Sequence, residues 1–236
     1  MKHQFISMAL ISILVSCLSL KTTPKIQSVS TMKQVMTGVD LSSNLLWDTI
    51  TRDHLFAVAP LHHLEGEVTI INGKMYVSHV DSEDQVFITD TWNVRSPFAV
   101  FSHIPFWNST IETVKINSEL ELQKLIEQKA KKMRYNLERP FAFRIKGHFD
   151  SIAYHIISKP KDEIEHNHEL HKKAKKHFFL AKTDGELIGF YSRHHEGVFT
   201  HKGSYIHTHF VNDSGTHAGH LEHVTIVGKV EIMLPK

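Results

Sequence analysis

The segment Tyr205-Ile206-His207-Thr208-His209-Phe210, then the turn-forming Asn212-Asp213-Ser214-Gly215, then Gly219-His220, constrains this chain more than any other stretch. Side chains alternate between the two faces of a strand. Read as a strand, the first segment puts His207 and His209 on one face, roughly 6–7 Å apart. A turn and a returning strand bring His220 back beside them. Three neutral imidazoles with a fourth position open form the donor set of a catalytic metal site rather than a structural one. The spacing alone leaves alternatives open. Such pairs arise by chance in a chain with 20 histidines, and cupin-like barrels share them. The adjacent pairs His62-His63 and His194-His195 point to opposite faces of any strand. His201, His217 and His223 have no partner at a comparable spacing. All of these read as surface or structural residues.

Cysteine usage narrows the donors further. The chain has one cysteine among 236 residues, Cys17. An intrachain disulfide is therefore excluded, and a metal would sit on histidine and carboxylate. Cys17 ends a short export-like segment. The apolar run from Phe5 to Val15 is too short to span a bilayer, and Leu14-Val15-Ser16-Cys17 resembles a bacterial lipobox. The expectation is a lipoprotein-type signal peptide over residues 1–16, lipidation at Cys17, and export to the periplasmic or cell-surface side of a bacterial membrane. Residues 17–43, rich in Ser, Thr and Lys at their start, read as a flexible tether. Residues 44–236 read as the domain. A net charge of +2 without a concentrated basic face argues against nucleic acid as a partner.

The domain reads as strand-dominated α/β or α+β. Glu67 to Ile71 is a strand, Asn72-Gly73 is a hairpin turn, and Met75-Tyr76-Val77 returns. Gln85 to Thr89 and Ala99 to Ser102 add strands. The spacing of Leu122, Leu125, Ile126 and Met133 predicts a helix over 118–135, with Ser118 and Glu121 as a capping box. Phe141 to Ile145 and Ile152 to Ile157 read as two strands paired about Gly147. The polar stretch 160–178, with His166, His168 and His171, reads as a solvated surface. Strands follow at Phe178 to Lys182, Leu187 to Tyr191, Tyr205 to Val211 and Leu221 to Leu234.

The block from Gly189-Phe190-Tyr191 through His207-Thr208-His209-Phe210 to Ala218-Gly219-His220 resembles the signature of acetolactate decarboxylases. Leu64-Glu65-Gly66-Glu67, Ser96-Pro97-Phe98-Ala99 and Phe143-Arg144-Ile145-Lys146-Gly147-His148-Phe149 resemble further motifs of that family, in its order, over about residues 45–235. The resemblance implies zinc on His207, His209 and His220, a larger mixed β-sheet and a smaller antiparallel sheet with the metal between them, and a possible homodimer. It implies decarboxylation of a small-molecule substrate, 2-acetolactate, to acetoin and carbon dioxide, with Glu67 as the carboxylic acid.

Two features depart from the family pattern. The family's catalytic arginine, which would hold the substrate carboxylate through a bidentate fork, aligns with His155. Arg144 is a candidate substitute, although it matches the arginine of its own strand motif. The family's tail glutamate has no counterpart after Leu234-Pro235-Lys236. These departures keep a second reading open: a diverged member that binds or converts another small 2-hydroxy-3-keto acid through the same metal site. A third reading, metal capture by the histidine-rich surface, follows from the histidine count alone.

Overall fold

In the computed structural model, which describes residues 24–236, Asn72 and Gly73 take positive φ angles of 50° and 75°. These are the angles of a type I′ turn, whose twist matches that of the strands it joins. In chain order the strands are β1 (Gln27–Val29), β2 (Leu45–Leu46), β3 (Leu55–Pro60), β4 (Glu67–Ile71), β5 (Lys74–Val80), β6 (Val86–Thr89), β7 (Arg95–Ser96), β8 (Ala99–His103), β9 (Trp107–Ile116), β10 (Phe141–Ile157), β11 (Lys175–Tyr191), β12 (Ile206–Asn212) and β13 (Ala218–Pro235). The helices are α1 (Met32–Met36), α2 (Glu119–Lys132) and α3 (His168–Lys173).

One sheet has six strands in the order β1-β8-β3-β4-β5-β6. A second has five, β10-β11-β12-β13-β9, and closes on itself because β10 also pairs with β13. A two-stranded pair, β2-β7, completes the set. The strand-dominated α+β fold is as expected. The sheet anticipated as mixed has antiparallel ladders throughout. Neighbours in both large sheets include strands joined by short turns, and such turns can only join antiparallel partners.

Alternation along the strands sorts the core into layers. Leu55, Ala57, Val68 and Ile70 face one side of the six-stranded sheet, with Trp47. Phe56 and Val58 face the other side and pack against Ala142, Ile188 and Phe190 of the five-stranded sheet. The far face of that second sheet carries Tyr154, Leu187, Ile206, Phe210 and Leu221, covered by Leu122 and Ile126 of α2. By the same two-residue period, Glu67 and Thr69 leave β4 toward the second sheet. His155, His207, His209 and His220 leave β10, β12 and β13 toward the first.

Helix α2 begins as its sequence implies. The Glu121 N–H donates to Ser118 Oγ at 3.2 Å, and the Asn117 N–H donates to Glu121 Oε2 at 2.7 Å. Lys124, Lys131 and Lys132 stay exposed.

Three expectations are corrected. Phe141–Ile145 and Ile152–Ile157 do not pair with each other; they are two parts of the single strand β10, and both pair with β11. Gly147 is not a turn. It lets β13 approach, since a Cβ there would lie 2.9 Å from Val230 Cγ1. The tether does not extend over 17–43, because β1 pairs with β8 and α1 buries Met32 and Val35. Two apolar residues in one helical turn are too few to register as a periodic pattern. The 160–178 stretch is not wholly solvated: Asn167 caps α3, and His171 is buried. The residues of the expected signal peptide, Cys17 and the start of the tether lie outside the described residues.

Gly189 on β11 is fitted against a ring: a Cβ there would lie 2.2 Å from Phe143 Cζ. Overpacking of a close-packed core costs about 1–3 kcal/mol. Gly189→Ala is expected to lower unfolding stability by about that amount, read from the midpoint of a urea titration.

Candidate metal centre

Strand register builds the site. His209 lies opposite His220 in the β12–β13 ladder, and His155 lies opposite His220 in the β10–β13 ladder. His207 is two residues before His209 on the same face. The ring centroids are 5.3 Å apart for His207 and His209, 4.8 Å for His207 and His220, and 5.5 Å for His209 and His220. One ring nitrogen from each of the three lies within 4.8 Å of the others, and all three side chains are buried.

Each imidazole is held from behind. His207 Nδ1 lies 3.0 Å from the Phe199 carbonyl oxygen. A carbonyl only accepts, so Nδ1 carries the proton and Nε2 presents its lone pair. That Nε2 is 3.1 Å from His220 Nδ1. On its far side, His220 Nε2 meets His201 Nε2 at 3.2 Å. His209 Nδ1 meets Thr69 Oγ1 of the facing sheet at 2.8 Å. His209 Nε2 is buried and has no hydrogen-bond partner among the described residues.

Burial lowers the pKa of all three imidazoles well below the usual histidine value. They are therefore neutral at physiological pH, as metal ligands must be. An orphaned buried nitrogen costs about 1–3 kcal/mol, and a cation among these rings would satisfy it. Outer ring nitrogens bound to a carbonyl, a hydroxyl and another imidazole match the way ligating histidines are held. The residues fit a divalent ion.

A carboxyl group faces the rings. Glu67 is buried, with Oε2 4.0 Å from His209 Nε2 and Oε1 3.9 Å from His155 Nε2. Its Oε1 accepts the Ile157 N–H at 3.3 Å. Burial pushes the Glu67 carboxyl up to about 8. The ring of His155 is 4.6 Å from that of His220, and burial brings its pKa down to about 4. Behind it, His155 Nδ1 lies 2.6 Å from Glu222 Oε1, and Lys175 Nζ donates to the same oxygen at 2.9 Å. Burial alone would raise Glu222, but His155 and Lys175 outweigh it and hold the carboxyl below its usual range.

Beside them lies a cavity of about 40 Å³, lined by Glu67, His155, His171, His201, His207 and His220 with Phe98, Met32, Val35 and Met36. The structure thus brings Glu67, His155, His207, His209 and His220 together. Arg144 is not among them. Its Nε bonds Glu186, and its guanidinium lies 5.1 Å from the ring centroids of both Phe56 and Trp107. It ties the two sheets together instead.

Sequence reasoning missed His201, His171, Thr69 and Glu222. His201 comes from the irregular segment between β11 and β12, and His171 from a short polar helix, so neither carries a periodic signal. The other two were within reach: Thr69 is two residues from Glu67, and Glu222 is two from His220, in each case on the same strand.

A family model for alpha-acetolactate decarboxylase matches residues 26–235. Two solved structures, alpha-acetolactate decarboxylase from Bacillus subtilis strain 168 and acetolactate decarboxylase from Bacillus subtilis subspecies spizizenii, share the fold. Their TM-scores are 0.71 and 0.72 at 19% and 18% identity, covering 89% of this chain and 85% and 86% of theirs. A Staphylococcus aureus protein of unknown function, described as similar to alpha-acetolactate decarboxylase, aligns with a TM-score of 0.69 at 15% identity, covering 89% of this chain and 85% of its own. No curated protein sequence matches. With a family model spanning nearly the whole domain, the chain belongs to the alpha-acetolactate decarboxylase family.

Proposed function

We propose that this protein decarboxylates 2-acetolactate to acetoin and carbon dioxide, using a zinc ion held by His207, His209 and His220. The observation that carries the reading is the buried, unpartnered Nε2 of His209 within that trio. Family membership supports an acetolactate decarboxylase-like carboxy-lyase; the metal and the reaction are our inference.

The ion, when bound, supplies Lewis-acid stabilisation of the charge left on oxygen as carbon dioxide departs. The chain supplies the rest. Burial keeps the three imidazoles neutral, so protons do not compete for their lone pairs. The two sheets exclude bulk water from the layer between them, which strengthens every electrostatic contact there. Glu67, with its raised pKa, holds a proton at neutral pH on the side of the first sheet and can deliver it to carbon from that side only. His155 occupies the place of the family arginine. With the proton of its neutral imidazole on Nδ1 toward Glu222, it presents only a lone pair at Nε2 and cannot replace the arginine's bidentate fork to a substrate carboxylate.

That last feature favours a second reading. Among the described residues no guanidinium lines the cavity, so the same site would serve a diverged member that binds or converts another small 2-hydroxy-3-keto acid without forming acetoin.

Acetoin release from racemic 2-acetolactate separates the two. Under the first reading, product forms with Zn²⁺ present, stops after chelation, and resumes when the ion is restored. One tightly held metal per chain without acetoin would select the second reading. In either case His209→Ala is expected to abolish tight binding, measured by elemental analysis after dialysis; retention of one metal per chain would remove both readings. Glu67→Gln is expected to keep the metal and lower kcat about 10²–10⁴-fold, and an unchanged kcat would take the proton-donor role from Glu67. Thr69→Val removes the group that orients His209 and is expected to weaken metal affinity about 10–100-fold, read by competition with a chromogenic chelator.

A further inference from the structure

Two of the three histidines, His207 and His220, line a space of about 40 Å³ together with Glu67 and His155. A benzene ring, with six heavy atoms, takes a cavity of about 150 Å³. The inner cavity by itself is thus too small to contain an organic acid of five carbons. A second cavity of about 450 Å³ adjoins it. Met32, Met36 and His201 line both, and so form the partition between them.

Two of those three residues belong to α1. This helix has five residues, far fewer than an isolated helix needs to persist in water. Few contacts hold it in place. The Gln34 N–H donates to Thr31 Oγ1 at 3.2 Å. The Met32 and Lys33 N–H groups donate to the carbonyls of Val198 and Gly197 at 2.8 and 2.9 Å. Met32 and Val35 bury their side chains against the site. Methionine is unbranched and adapts its rotamers readily, which suits a partition that must yield.

We propose that α1 is the specificity-determining wall of the metal cavity. Met32 and Met36 bar oxygen ligands in the outer chamber from the histidines until α1 shifts off the 197–198 segment, and their bulk sets the largest ligand that reaches the ion. The proposal rests on the metal reading above, but not on decarboxylation.

The test reads ligand access rather than turnover. A Cβ at Gly197 would lie 3.7 Å from Lys33 Cβ, within the span of a disulfide. Lys33→Cys with Gly197→Cys, made in a Cys17→Ser background, can thus pin α1 shut. The protein is loaded with Co²⁺, and its visible spectrum is followed on adding acetohydroxamate or the larger benzohydroxamate. Acetohydroxamate is expected to bind at least tenfold more slowly to the oxidised form than to the reduced one. In a separate variant, Met32→Ala with Met36→Ala is expected to tighten benzohydroxamate at least tenfold relative to acetohydroxamate. Equal rates before and after disulfide formation, or an unchanged preference in the methionine variant, would overturn the proposal. A Co²⁺ spectrum that is absent, or indifferent to His209→Ala, would overturn the metal reading and this wall with it.

Discussion

Antiparallel pairing places His209 opposite His220 and His220 opposite His155, and the rest of the site depends on that register. A slip of one residue in β12 would turn His207 and His209 toward the layer that holds Ile206 and Phe210, and bring those two between the sheets. The register is therefore protected by the hydrophobic pattern itself. Moving the histidines out of place would expose Ile206 and Phe210 to the wrong neighbours and leave polar rings beneath α2. The stability of the core and the geometry of the candidate metal site rest on the same two-residue period.

The layer between the sheets is costly ground for polar groups, and the chain meets that cost in different ways. Glu67 has its carboxyl pushed up to about 8, so the protonated form avoids a buried charge. Glu222 stays charged because Lys175 and His155 lie against it. His207, His209 and His220 avoid the cost by remaining neutral, each with one ring nitrogen tied outward. What remains is a cluster of inward-facing nitrogens, one of them without a partner among the described residues, an arrangement suited to a cation.

Segments far apart in the sequence close this layer. α1 reaches the site from the N-terminal side of the fold, α3 supplies His171, and the segment between β11 and β12 supplies His201. None of the three is a long regular element. A small inner cavity beside a larger outer one follows from that construction, because the sheets supply the floor while short, lightly held pieces supply the walls.

By itself the sequence determined what two-residue alternation and local turn chemistry control. The Asn72-Gly73 hairpin, the Ser118-capped helix and the shared face of His207 and His209 are local facts, and each reads directly from neighbouring residues. The return of His220 was legible because only a short turn separates it from β12. Tertiary structure alone decided that β10 is one long strand rather than a hairpin, since Gly147 serves a close approach to β13 that no local pattern records. It also decided that Arg144 is spent on Glu186 and two aromatic rings while His155 faces the histidines. Residues on one strand face can be inferred from spacing, but the partner across a sheet or between sheets is set by long-range packing, and spacing along the chain carries no information about that distance.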